Sequence, residues 1–120
     1  MTKILIADDT PTGRELVKTV LEGSGFEVIE ACDGMEAVAR AHEVQPDLII
    51  LDLHMPLLDG FGVIRQLRSE EAFAATPIMA LTASAMMGDK ERAMEAGFSG
   101  YVTKPIRLGD LRSEVQRLLR

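Results

Sequence analysis

The chain has a single cysteine, Cys32, so no disulfide can close within it, and a reducing, cytoplasmic setting fits best. Nothing basic flanks Cys32, which reads as a small packing residue rather than a reactive thiol. No apolar stretch is long enough to span a bilayer. The opening MTKILIADD meets two acids too early for a secretory signal. Cations are in deficit: 13 Lys and Arg face 19 Asp and Glu, for a net charge of −6. That balance argues against direct nucleic-acid binding, which needs clustered Lys and Arg, and leaves a basic protein partner open. There is no GxGxxG and no Walker-type glycine loop, no Ser-His-Asp grouping, no internal repeat, no low-complexity tract and no linker.

What is present is an alternation. Five β-like runs stand at Lys3–Ala7 (KILIA), Phe26–Glu30 (FEVIE), Asp47–Leu51 (DLIIL), Pro77–Leu81 (PIMAL) and Gly100–Thr103 (GYVT). Three are almost wholly apolar, as central parallel strands covered on both faces should be; FEVIE alternates, as a more exposed strand should. Helical patterns separate them. The first opens at Thr10-Pro11, a cap followed by an N-terminal proline. It sets Leu16, Val17, Val20 and Leu21 on one face and stops near Gly23. Others run from Gly34 to Val44, from Phe61 to Arg68 with Val63, Ile64 and Leu67 inward, and from Asp89 to Ala96. The last, Leu108 to Leu119, spaces Leu108, Leu111, Val115 and Leu118 by threes and fours. This predicts one domain over residues 1–120, a doubly wound α/β fold with a five-stranded parallel sheet and five helices.

Ligands of such sheets bind beyond the carboxyl ends of the strands. There the first strand ends in Asp8-Asp9, the third in Asp52, the fourth in Thr82, and the fifth leads to Lys104. Crowded carboxylates repel unless a positive charge sits among them. Oxygen-only donors favour a hard cation such as Mg²⁺, and Lys104 adds an ammonium. A carboxylate inside such a cage is a known type of phosphoryl acceptor, with metal and ammonium neutralising the equatorial oxygens.

ILIADD, DLIILDLHMPLLDG, PIMALTAS and YVTKP, in this order and spacing, resemble the response-regulator receiver domain of two-component signalling, a flavodoxin-like fold, over essentially all of the chain. The resemblance implies a phosphorelay switch rather than a turnover enzyme. It makes Asp52 the phosphoacceptor, supplied from phosphohistidine on a sensor histidine kinase or a histidine phosphotransfer protein. It makes Asp8, Asp9, Asp52 and the backbone carbonyl of His54 the Mg²⁺ ligands, with Asp9 the more direct of the acidic pair. Lys104 matches the phosphoryl-pairing lysine and Lys104-Pro105 a cis peptide bond. Thr82 and Tyr101 match the switch hydroxyl and the aromatic that follows it. The His54 side chain and Ser84 border the path of hydrolytic water and should tune the phosphoryl lifetime. The surface of helix four, strand five and helix five, with Lys90 and Tyr101, is where a downstream protein partner is expected. From Pro77 to Ile106 the chain looks particularly like single-domain regulators of the cell-division-control type and hybrid-kinase receivers. A stand-alone receiver or a piece of a longer protein fits equally.

Taken alone, each residue has a plainer reading. Asp8-Asp9 is equally a cap cluster, Asp52 a solvated strand end, Thr82 a cap and Tyr101 half-buried packing. Gly60 is read as structural, taking backbone angles that other residues avoid. Met86-Met87 reads as packing at the start of the fourth helix or as an adaptable contact. His42 reads as solvated, and Gly13 as a helix-weakening residue on the face where the family docks its phosphodonor, either a recognition feature or an accident. The alternative function is a Mg²⁺-dependent phosphatase of haloacid-dehalogenase type. It would place an acid-base Asp two residues after Asp52, where this chain has His54.

Overall fold

Strands that are apolar at every position have no solvent face, so both of their sides must be covered. The computed structural model, which describes residues 1–83 and 88–119, satisfies this with one parallel sheet. Its strands are β1 (Lys3–Ala7), β2 (Glu27–Ala31), β3 (Leu48–Asp52), β4 (Ile78–Thr82) and β5 (Gly100–Thr103), in the order β2-β1-β3-β4-β5. The helices between and after them are α1 (Pro11–Gly23), α2 (Gly34–Val44), α3 (Gly60–Arg68), α4 (Asp89–Ala96) and α5 (Leu108–Leu118).

Side chains alternate along each strand, and the core divides accordingly. Ile4, Ile6, Leu48 and Ile50 pack with Val17, Val20 and Leu21 of α1 and with Leu111 and Val115 of α5. Leu5, Ala7, Ile49 and Leu51 pack with residues of α2, with Val63, Ile64 and Leu67 of α3, and with Phe98. All five positions of β3 are buried. The predicted α/β architecture is therefore the one observed.

The differences are local and have causes. The strands β2, β3 and β4 sit one residue later than predicted. Pro77 has no N–H to give a ladder, and the Asp47 side chain turns back to accept from the Lys3 N–H at 2.8 Å. At the other end the pairing runs on: Leu53 N–H donates to Leu81 O at 2.9 Å, and Lys104 N–H to Thr82 O at 2.7 Å. Asp52 and Thr82 are thus the last residues of rigid strands rather than the first of loops. A 3₁₀ turn at Glu71–Phe73 was not predicted; it buries Phe73.

Leu16 and Leu108, expected on core faces, are exposed: Leu16 lies at the edge of α1's apolar stripe, and Leu108 is the first residue of α5. Cys32 is also exposed, which corrects its reading as a packing residue. Its backbone N–H donates to Glu36 Oε1, while Asp33 Oδ1 accepts from the Glu36 N–H, so the reciprocal pair caps α2. Gly60 is needed for proximity, not for unusual angles. A Cβ there would lie 2.6 Å from Asp52 O, and the left-handed residue of this loop is Leu57 at φ 69°. Ser84, Met86 and Met87 lie outside the described residues.

Candidate phosphoryl-acceptor site

The strand order reverses between β1 and β3, and a crevice opens beyond their carboxyl ends. Ala7 is the register partner of Leu51, so Asp8 and Asp52 emerge side by side. Asp8, Asp52 and Thr82 are 0%, 5% and 0% exposed, and they are the buried polar or charged side chains among the described residues. Buried carboxylates demand compensation. Lys104 Nζ supplies it, 2.9 Å from Asp8 Oδ2 and 3.0 Å from Asp52 Oδ2. The remaining oxygens take backbone donors: Thr10 N–H reaches Asp8 Oδ1 at 2.9 Å and His54 N–H reaches Asp52 Oδ1 at 3.0 Å.

These surroundings push the two acids apart. Burial raises the Asp52 carboxyl above its ordinary value, against the pull of the His54 N–H and Lys104, and the neighbouring Asp8 charge adds to the rise. Burial acts on Asp8 in the same sense, but the Thr10 N–H and Lys104 outweigh it and leave Asp8 below its ordinary value. For Lys104, burial disfavours the ammonium, yet the two carboxylates more than offset it and raise its pKa. The crevice therefore holds a firm cation between two acids of unequal basicity.

Asp9 stands at the exposed mouth. One oxygen from each of Asp8, Asp9 and Asp52 lies within 4.8 Å of the others. Three hard oxygen donors at that spacing, with the mouth open to water, suit a small divalent cation that keeps part of its hydration. The donor set fits Mg²⁺.

The Lys104–Pro105 peptide is cis. The His54 side chain is exposed and its main chain faces Asp52. Tyr101 is half-buried on β5 opposite Ala80. It lines a groove of about 550 Å³ with Lys90, Met94, Glu114 and Arg117, on the α4–β5–α5 side where a partner was expected. Two contributors escaped sequence reasoning. The Thr10 N–H was read only as part of a helix cap, although the same turn offers its donor to Asp8. Arg14, one turn into α1, donates Nη1 to Asp8 O at 2.7 Å; its carbonyl target leaves no mark in sequence.

Comparison with known proteins settles the family. The family described as response regulator receiver domain matches residues 4–116. The chain belongs to it. This receiver domain is 42% identical, over all 120 of its residues, to the DNA-binding dual master transcriptional regulator RpaA of Synechocystis, and spans 50% of that protein's length. It is 38% identical to the polar-differentiation response regulator DivK of Brucella ovis, covering 88% of this chain and 87% of DivK. Its fold matches the receiver domain of a Pseudomonas aeruginosa sensor histidine kinase with TM-score 0.91 and 34% identity, over 98% of this chain and 97% of the other. That structure carries a magnesium ion coordinated in its active site cleft. The chain is thus a receiver of two-component signalling, a family of phosphoacceptor switches. The haloacid-dehalogenase alternative gains nothing from the geometry: two residues past Asp52 the site receives a main-chain N–H, not a second carboxylate.

Proposed function

We propose that Asp52 accepts a phosphoryl group from phosphohistidine on a sensor histidine kinase or a phosphotransfer protein. The observation that carries the reading is a single ammonium, Lys104, shared between two buried carboxylates at strand ends. Asp52 attacks phosphorus with one carboxylate oxygen as the phosphorus–nitrogen bond of the phosphohistidine breaks and the imidazole leaves. Lys104 is within reach of the new phosphoryl oxygens as they gather negative charge. Asp8, Asp9, Asp52 and the His54 carbonyl would hold Mg²⁺, which supplies the charge neutralisation that phosphoryl transfer most requires. Thr82 donates its hydroxyl to the phosphoryl group, and Tyr101 follows it. Pro105 and Gly60 keep their loops close to the site.

Phosphorylation then shifts a two-state equilibrium read by a protein partner at the α4–β5–α5 groove, inside the cytoplasm and without direct nucleic-acid contact. The chain would act as one receiver domain over residues 1–120, whether alone or within a longer protein. It catalyses only its own phosphorylation and a slow hydrolysis tuned by His54 and Ser84. The test is intact mass after incubation with Mg²⁺ and acetyl phosphate. One phosphoryl adduct is expected, lost in Asp52→Asn and without metal. Sustained phosphate release with no adduct would overturn the reading. His54→Ala should keep the adduct and change its half-life; an unchanged half-life would remove His54 from the tuning role.

A further inference from the structure

Gly13 sits in the first turns of α1, where glycine weakens a helix. Its φ is not positive, since the left-handed glycines are Gly25, Gly88 and Gly97, so backbone freedom does not explain it. Space does. A Cβ on residue 13 would lie 2.9 Å from Asp8 Oδ2, 3.6 Å from Asp8 Cγ and 3.7 Å from Thr10 Cβ. The first of these is closer than carbon and oxygen pack without a hydrogen bond.

Asp8 Oδ2 is also the oxygen that Lys104 holds at 2.9 Å. The other oxygen is held by the Thr10 N–H at 2.9 Å, and the side chain is fully buried. Any shift of the carboxylate therefore disturbs these two contacts. A methyl group at residue 13 must displace Asp8 Oδ2, and with it the Lys104 contact, or lift α1 from the strand end.

We propose that Gly13 is a positioning residue, whose missing side chain keeps open the volume in which Asp8 faces Lys104 and Mg²⁺. The helix gives up stability at this position so that the acid can keep its orientation. The proposal rests on the reading of Asp8, Asp9 and Asp52 as the Mg²⁺ site.

The experiment compares the Mg²⁺ dissociation constants of the wild type, Gly13→Ala and Gly109→Ala by titration calorimetry, with circular dichroism to confirm the fold. Gly109 is a matched control: it is helical, exposed and has nothing within 4 Å of its missing Cβ. Gly13→Ala should weaken Mg²⁺ binding about tenfold, the loss seen when a ligand's supporting contact is removed. Gly109→Ala should stay within about twofold of the wild type, as a distant and independent site does. Equal affinity in Gly13→Ala and the wild type would overturn the proposal, as would an equal loss in both variants. Loss of the fold in Gly13→Ala would overturn it too, because the position would then serve general packing rather than the orientation of Asp8. A wild type that binds no Mg²⁺ would remove the metal reading itself and this inference with it.

Discussion

Lys104 and Arg68, two of the half-buried cations among the described residues, are treated differently. Lys104 is held by two carboxylates. Arg68, at the end of α3, is held by neutral oxygens. Its Nη1 donates to Phe73 O at 2.6 Å and Thr76 O at 2.7 Å, its Nη2 to Gly97 O at 2.9 Å and Ser99 Oγ at 3.3 Å, and its Nε to Gly97 O at 3.2 Å. Burial alone pulls its guanidinium below the ordinary value. Carbonyl dipoles cannot change charge, so this clamp has one state; it ties the segment before β4 to the end of α4. Carboxylates can change partner, so the Lys104 centre has several. A cation among fixed dipoles is built for stability, and one among exchangeable charges is built to respond.

The sharpest way to break this contrast is Arg68→Ala. Several inward carbonyls lose their donor together, at a cost of about 3 kcal/mol for the set. Urea unfolding should show the same loss with and without Mg²⁺, because the oxygens that Arg68 holds belong to Phe73, Thr76, Gly97 and Ser99, not to the acidic cluster. A loss that Mg²⁺ repaired would mean that the clamp and the crevice are one unit.

Lys104→Ala comes next. Removing the shared ammonium leaves Asp8 and Asp52 repelling, a loss of about 2 kcal/mol, reduced from the deep-burial figure because the lysine side chain is 21% exposed. Here Mg²⁺ should restore stability, since a ligand that binds only the folded state adds about 2.7 kcal/mol at a hundredfold excess over its dissociation constant. The gain in unfolding midpoint on adding Mg²⁺ should be larger than in the wild type, where the ammonium competes. An equal or smaller gain would show that Lys104 and the metal do not share the carboxylates.

The same contrast explains what the sequence made legible. The strand-end acids and Lys104 could be found because the chemistry requires those residue types at those places, and the apolar runs locate the strand ends. Strand boundaries slipped by one residue because the ladder's reach depends on neighbours: Asp52 belongs to β3 only once Leu53 finds Leu81 O. Arg68 was invisible because its partners are almost all main-chain carbonyls, which every residue type carries. Gly13 was noticed as an oddity, but its reason lay in Asp8 Oδ2, a distance that spacing does not encode. Leu57, left-handed without being glycine, was missed for the opposite reason: the obvious glycine nearby serves close packing instead.

A smaller effect, opposite in sign, should come from Asp52→Asn. A raised folded pKa means that the ionised Asp52 is disfavoured by folding. The penalty is full above the raised value, shrinks as pH falls through it, and is gone below the ordinary carboxylate value of 3.8. Asp52→Asn should therefore stabilise the metal-free protein by about 1 kcal/mol near neutral pH, with the advantage vanishing towards acid. Asp8 has the opposite sign: its folded pKa is lowered, so its contribution is present above the ordinary value and lost as pH falls through the lowered one. Unfolding midpoints of the wild type, Asp52→Asn and Asp8→Asn across that range would separate the two. Destabilisation by Asp52→Asn near neutral pH would mean that the Lys104 contact outweighs burial.

His42 stands between the two kinds of cation, and it makes the smallest and most specific prediction. Its Nδ1 lies 2.9 Å from Val38 O, a fixed dipole, and its Nε2 lies 2.7 Å from Glu70 Oε1, an exchangeable charge. Both neighbours accept, so only the imidazolium can donate to both. The Glu70 carboxylate accordingly raises the His42 pKa, with the Val38 carbonyl adding to it. A raised folded pKa gives stability that is fully present below the ordinary histidine value of 6.5 and is lost as pH rises through the raised one. With side chains 44% and 36% exposed, the pair contributes only about 0.5 kcal/mol. His42→Gln cannot titrate, so the fall in urea midpoint as pH rises from 6.5 through the raised value should flatten in this variant. The ring also packs edge-on to Phe73 at 5.5 Å, whose carbonyl Arg68 holds. The slope should therefore survive in Arg68→Ala if the pair acts alone, and shrink there if the clamp is what brings Glu70 within reach.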